Sequence, residues 1–189
     1  MKHIKLASAL GLVLGMTVVG AASAAATGGT IRFTGAVTDE TCTISGGSGT
    51  DGGTGNFVVA LDPVRASLLA AAGDVAGAKP FQVIIGGPGQ GSCVNGKVAT
   101  MSFLASSPRI DPMTGALTNA LVGEATLTQV QVMEGDGTPI NMADPANGVR
   151  SPAIVNNTAI IDFQSQYLAT GAATPGLVDT SVVYAVSYN

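Results

Sequence analysis

Gly28-Gly29-Thr30-Ile31-Arg32-Phe33-Thr34-Gly35 carries its side chains at a period of two. Gly29, Ile31, Phe33, Gly35 and Val37 fall on one face, and Thr30, Arg32, Thr34 and Ala36 on the other. Successive side chains of a β-strand point to opposite faces, so one face here is apolar or bare and the other mostly polar. The stretch lies ahead of the first cysteine, Cys42. A strand in that position has two partners open to it: the sheet of its own molecule, or the sheet of a second one.

What precedes the stretch has the three parts of a secretory signal. Lys2, His3 and Lys5 make a basic start, residues 6–19 an apolar run, and Ala22-Ser23-Ala24 a small-residue cleavage site. Cleavage is expected after Ala24, with Ala26 as the alternative. The run is too short and wrongly flanked for a membrane anchor. Export removes His3, the sole histidine, and two of the eight basic residues, Lys2 and Lys5. Six basic residues then face twelve acidic ones, a net charge of −6. An acidic, lysine-poor product is a poor match to nucleic acid or to anionic lipid.

About 165 residues remain, enough for one domain with a buried core. Cys42 and Cys93 are the only cysteines, and a single pair in an exported chain reads as a disulfide. Closing a ring of about 52 residues is worth about 4 kcal/mol in the chain-entropy account.

Beyond the opening strand, extended structure is expected to continue to Cys42 and Ile44. Residues 45–55 are so rich in Gly, Ser, Thr and Asp that they read as an irregular loop. Asn56-Phe57-Val58-Val59-Ala60-Leu61 reads as a short strand stopped by Asp62-Pro63, and residues 65–72 as a turn or two of helix. Further strands are expected over 80–85, 98–103, 117–122, 127–133, 158–168 and 178–188. In the last of these Val182, Tyr184, Val186 and Tyr188 alternate with Ser181, Val183, Ala185 and Ser187. Glu134-Gly135-Asp136-Gly137 reads as a hairpin turn rather than part of a calcium loop. Residues 86–91 are glycine-rich but lack the Lys-Ser/Thr ending of a phosphate loop. Residues 141–152 read as a polar loop. Short strands, frequent turn signals and scarcely any helix indicate an all-β sandwich.

The chemistry of catalysis is thin. Without histidine there is no imidazole base, and both thiols are committed to a bridge. Asp51, Asp111, Asp136 and Asp144 sit among turn residues, where Asp commonly serves the backbone. Tyr167, Tyr184 and Tyr188 lie at strand period, as core or interface residues do. The expectation is no enzyme, no cofactor and no metal.

Taken together these pieces resemble the type 1 fimbrial major-subunit family, the pilins of the chaperone–usher pathway. The resemblance rests on residues 28–37 followed by Cys42, and on Pro80-Phe81-Gln82-Val83-Ile84-Ile85 leading to Cys93. It is most specific at Phe163-Gln164-Ser165-Gln166-Tyr167-Leu168-Ala169-Thr170-Gly171-Ala172-Ala173-Thr174-Pro175-Gly176 and at Val183-Tyr184-Ala185-Val186-Ser187-Tyr188. It spans essentially the whole mature chain, which departs from the pattern in its long glycine-rich stretches and in ending with Asn189. Membership implies an incomplete immunoglobulin-like β-sandwich, completed by a donor strand from a neighbouring subunit. It implies a signal peptide over 1–24, a donor-strand extension over 25–35 and a pilin domain over 36–189. Gly29, Ile31 and Phe33 would enter the neighbour's groove. Tyr184, Val186, Tyr188 and Asn189 would pair with a periplasmic chaperone before export through an outer-membrane usher. The implied function is a structural subunit of an adhesive fimbria on the cell surface, its partners being like subunits head to tail and a host-surface or cell–cell contact. A minor or tip-associated pilin with a carbohydrate-binding role is the alternative.

Overall fold

Two twelve-residue strands, β2 (Val75–Gly86) and β7 (Thr158–Ala169), pair antiparallel and form the spine of the molecule. The computed structural model describes residues 41–189. The signal over 1–24, its cleavage point, the extension over 25–35 with Gly29, Ile31 and Phe33, and the domain's start at 36 lie outside the described residues.

Period-two patterning explains why the spine is buried on one side. Phe81, Val83 and Ile85 of β2 point inward, as do Ala159, Ile161 and Phe163 of β7. Phe81 stacks on Phe163 at 5.3 Å between ring centroids, and Phe103 meets the same ring edge-on at 6.1 Å. Each such side chain contributes about 1.5–3 kcal/mol on burial. On the outer face Gln82 Nε2 donates to Asp162 Oδ1 at 2.9 Å. A register shift between Ala76 and Lys79 lets Pro80 sit within β2.

Around the spine stand β1 (Ile44–Gly46), β4 (Leu117–Thr118) and β5 (Thr128–Glu134), giving a five-stranded sheet of order β1-β2-β7-β5-β4. A three-stranded sheet, β6-β3-β8, is built from β3 (Val98–Phe103), β6 (Val149–Ala153) and β8 (Tyr184–Tyr188). Every pairing of named strands is antiparallel. The core lies between the sheets, where Met101 and Phe103 of β3 meet Phe81 and Phe163.

Several connections are tighter than their composition suggests. Residues 45–55 are not an irregular loop: β1 runs into them as far as Gly46, Ser45 bridges Thr54, and Gly46 N–H donates to Gly53 O at 2.9 Å. Gly49, at φ +80°, leaves no room for a Cβ against the Pro80 carbonyl. The expected hairpin turn after Glu134 is present, closed by Gly137 N–H to Glu134 O at 2.9 Å. Asn156 and Asn157 both adopt positive φ in the turn joining β6 to β7, a conformation Asn tolerates. Within the expected polar loop, Asn147 is buried and exchanges two 2.8 Å hydrogen bonds with the Phe103 backbone, as a strand neighbour would. The helix expected over 65–72 is a single 3-10 turn, Ala66–Leu68. Of the strand expected over 117–122 only Leu117–Thr118 pairs. The strand expected over 56–61 forms no ladder, and the last strand is regular only over Tyr184–Tyr188. These two shortfalls face each other.

Candidate functional site

Residues 55–61 and 178–184 form the two walls of an open groove of about 670 Å³. Phe57, Val59 and Leu61 alternate with exposed Val58 and Ala60, and Val178, Val182 and Tyr184 alternate with exposed Asp179, Ser181 and Val183. Both walls therefore have strand-like side-chain alternation without a strand's hydrogen bonds to each other. Between them lies core: Phe81, Met101, Phe103, Val130 and Val132 are buried yet line the groove. The groove runs over this floor with no strand of the described residues paired between its two walls.

Tyr184 reaches across one end of the seam. Its hydroxyl donates to Gly55 O at 2.5 Å, and its ring lies 6.0 Å from that of Phe57. Burial raises the phenol above its ordinary value of 10.0, so the neutral donor persists through neutral and mildly alkaline pH. Because the folded-state pKa is raised, the stabilisation is fully present below the unfolded value and is lost as pH climbs through the folded one. Tyr184→Phe keeps the ring and removes the donor. It is expected to lower the stability of the unfilled subunit by about 1 kcal/mol, read from the urea midpoint, with the difference from the parent fading at strongly alkaline pH.

The first wall is held by a carboxylate. Asp51 Oδ1 accepts from Gly53 N–H at 3.1 Å and Val58 N–H at 2.9 Å, while Asp51 N–H donates to Val58 O at 3.0 Å. The Val58 and Gly53 bonds hold the Asp51 carboxyl below its ordinary pKa. The second wall is fixed by Asn119, whose Nδ2 donates to Leu177 O and whose Oδ1 accepts from Asp179 N–H.

The last strand continues that second wall. β8 pairs with β3 over Tyr184 to Tyr188, and Asn189 extends the ladder through two backbone bonds to Val98 of 3.0 and 3.1 Å. Tyr184, Val186 and Tyr188 are half-buried toward the core. β8 is the edge of its sheet among the described strands, and Tyr184 at its start lines the groove.

At the other side of the domain Cys42 and Cys93 form a disulfide, with Cα atoms 4.6 Å apart. Sequence reasoning missed what surrounds it. The glycine-rich run after β2 folds back so that Gln90 Nε2 donates to Thr41 O at 2.9 Å and to Thr43 Oγ1 at 3.0 Å, and Gln90 Oε1 accepts from Thr43 N–H. The described chain is thereby clamped at Thr41 and Thr43, on either side of Cys42. Among the described residues no group of three or more His, Cys, Asp or Glu side chains is placed to hold a metal ion.

No protein-family model matches the chain. It is 37% identical over 174 residues to the major fimbrial subunit SMF-1 of Stenotrophomonas maltophilia (strain K279a), covering 88% of this chain and 96% of that protein. It is 32% identical over 177 residues to the F17 fimbrial protein of Escherichia coli, covering 90% and 94%. A chain from the solved structure of a chaperone–usher pilus superposes with a TM-score of 0.54 at 16% identity, over 87% of this chain and 98% of that one. The fold is thus the incomplete immunoglobulin-like sandwich of the pilins. The chain belongs to the type 1 fimbrial subunit family, and is a fimbrial structural subunit.

Proposed function

We propose that the chain is a shaft subunit that polymerises head to tail by donor-strand exchange. The supporting observation is a match of length and pattern. The seam is walled by residues 55–61 on one side and by six of residues 178–184 on the other, and residues 29–35 offer seven with one bare or apolar face. Ile31 and Phe33 of one copy would cover the floor of the next, contributing about 1.5–3 kcal/mol each. The inserted backbone would pair the open edge of β8. This is β-augmentation, of which pilin donor-strand complementation is an established case. A contact between two different surfaces of identical subunits does not close on itself and generates a filament.

The same seam needs cover before assembly. A periplasmic chaperone would hold it by pairing along Tyr184, Val186 and Tyr188 and taking the carboxylate of Asn189, and an outer-membrane usher would pass subunits to the surface. The chain would leave the cytoplasm on the signal over 1–24, extend residues 25–35 as the donor, and work without catalysis as a repeating unit of an extracellular fimbria.

Grafting a second copy of residues 28–37 behind Asn189 through a flexible turn tests this reading. The grafted strand would run antiparallel to 178–188 into the chain's own seam. The expected product is a folded monomer that no longer polymerises and unfolds at clearly higher urea than the parent. Unchanged stability together with continued polymerisation would sink the proposal.

A further inference from the structure

The two long strands give the domain two ends. β2 and β7 run in opposite directions, so Gly86 pairs with Thr158 at one end and Val75 with Leu168 at the other. Strands of twelve residues hold those ends about 35 Å apart. At the Leu168 end, Thr170 N–H donates to Leu127 O at 2.9 Å. Just before Leu127, the turn 120–125 is bonded to residues 177–179, through Ala120 N–H to Asp179 O at 2.7 Å and Ala125 N–H to Leu177 O at 3.3 Å. Leu121, Val122 and Leu177 stand out from this end, with Val122 100% and Leu177 67% exposed.

The Thr158 end carries its own aliphatic pair. Asn157 N–H donates to Asn95 Oδ1 at 2.7 Å, and Asn157 Nδ2 donates to Cys93 O at 2.8 Å. These bonds lock the loop 93–96 to the turn 155–158. Val94 and Val155 stay exposed on the two, Val155 at 63%. The first described residue lies at this end as well, where Thr41 N–H donates to Ser92 O at 3.2 Å. Aliphatic side chains scattered singly over a surface are ordinary. These are gathered on braced loops at opposite ends, and the length of the chain brings one end to the other.

From this placement we infer that the domains of successive copies also dock end to end, Leu121, Val122 and Leu177 of one against Val94 and Val155 of the next. The assignment rests on the donor-strand reading. All pairings of named strands in the domain are antiparallel. A strand laid antiparallel to 178–184 would finish beside Val178, next to Leu177. From Gly35 to Thr41 there are six residue steps, a reach of at most about 21 Å. The Thr41 end of the donating copy, with Val94 and Val155, is then held within that distance of the accepting copy's Leu177 end. A tether this short gives the two ends an effective concentration in the millimolar range. A patch too small to join free subunits therefore closes within the fibre. The contact fixes the angle between successive domains, and its occupant is a second copy because the tether belongs to one.

The test uses fibres from cells that make the full chain with the photo-cross-linker p-benzoylphenylalanine in place of Val122 or, in a second chain, of Leu177. Irradiation is expected to give a covalent dimer that survives the denaturation separating untreated subunits. Mass spectrometry of that dimer is expected to map the link to residues 92–97 or 153–157 of the other copy. Val155→Asp in the same chain puts a charge into the contact and is expected to cut the dimer yield about five-fold. The same label in place of Phe33 tests the donor strand by itself. Links from Phe33 that fall outside the walls and floor of the seam overturn the donor-strand reading and the end-to-end contact with it. Links from Phe33 into the seam, with Val122 and Leu177 both linking elsewhere or to nothing, overturn the end-to-end contact alone. A dimer yield that Val155→Asp leaves unchanged does the same.

Discussion

Replacing Cys42 and Cys93 together by serine is expected to lower the urea midpoint of the subunit by about 2 M, and to deplete it from the exported pool. The bridge spans a sequence separation of 51 residues, which gives about 4 kcal/mol in the chain-entropy account. Two features make the subunit depend on it. Among the described residues no strand pairs between the walls 55–61 and 178–184, so the isolated domain lacks a ladder joining them. And β1, which the bridge anchors, is only three residues long, pairing Ile44 to Gly46 with Val83 to Ile85. Without the bridge the joint relies on Gln90, on Thr41 N–H to Ser92 O at 3.2 Å and on Gly86 N–H to Thr43 O at 2.7 Å. Those bonds contribute on the order of 1 kcal/mol each and fray from a chain end. Strands paired across long sequence separations form slowly, so the open chain would remain exposed to proteolysis for longer. An unchanged midpoint for the double variant, measured under non-reducing conditions beside the parent, would contradict this account.

The spine of the fold is legible in the sequence because it is written in alternation. Phe81, Val83 and Ile85, like Ile161 and Phe163, repeat at two and are bounded by turn residues, and both runs became long strands. The same logic misled at 56–61, for an instructive reason. Phe57, Val59 and Leu61 have the pattern of a strand and lie half-buried as a strand's residues would. What they lack is a neighbour to pair with, and pairing is a property of two segments. Read together with 178–184, the missed strand outlines the groove. Residues 45–55 were misjudged differently. Glycine content says only that the backbone is free; Asp51 and Thr50 bond to the backbone and fix it, Thr50 Oγ1 donating to Gly47 O and accepting from Gly52 N–H. Gln90 left no readable signal. A glutamine 47 residues from its partner becomes meaningful only when the sheets are assembled.

Phe33→Asp is expected to abolish fibres while leaving folded, disulfide-bonded subunit to be recovered from the cell. In the proposed donor-strand contact the substitution would remove about 1.5–3 kcal/mol of ring burial. It also asks the seam to take an ionised carboxylate among Phe81, Met101, Phe103 and Val130, at a cost of several kcal/mol more. The subunit's own sandwich should not feel it, since among the described residues the core is assembled from Cys42 and residues C-terminal to it. The neighbouring position is the control. In the proposed donor strand Arg32 would fall on the face opposite Phe33, so Arg32→Asp would change charge by as much or more and leave the apolar face intact. Fibre mass from Arg32→Asp should therefore stay within about two-fold of the parent. Normal fibres from Phe33→Asp would remove residues 29–35 from the seam. Equal loss from both variants would mean that charge anywhere in this segment blocks assembly or export, and that alternation between its faces does not govern the contact.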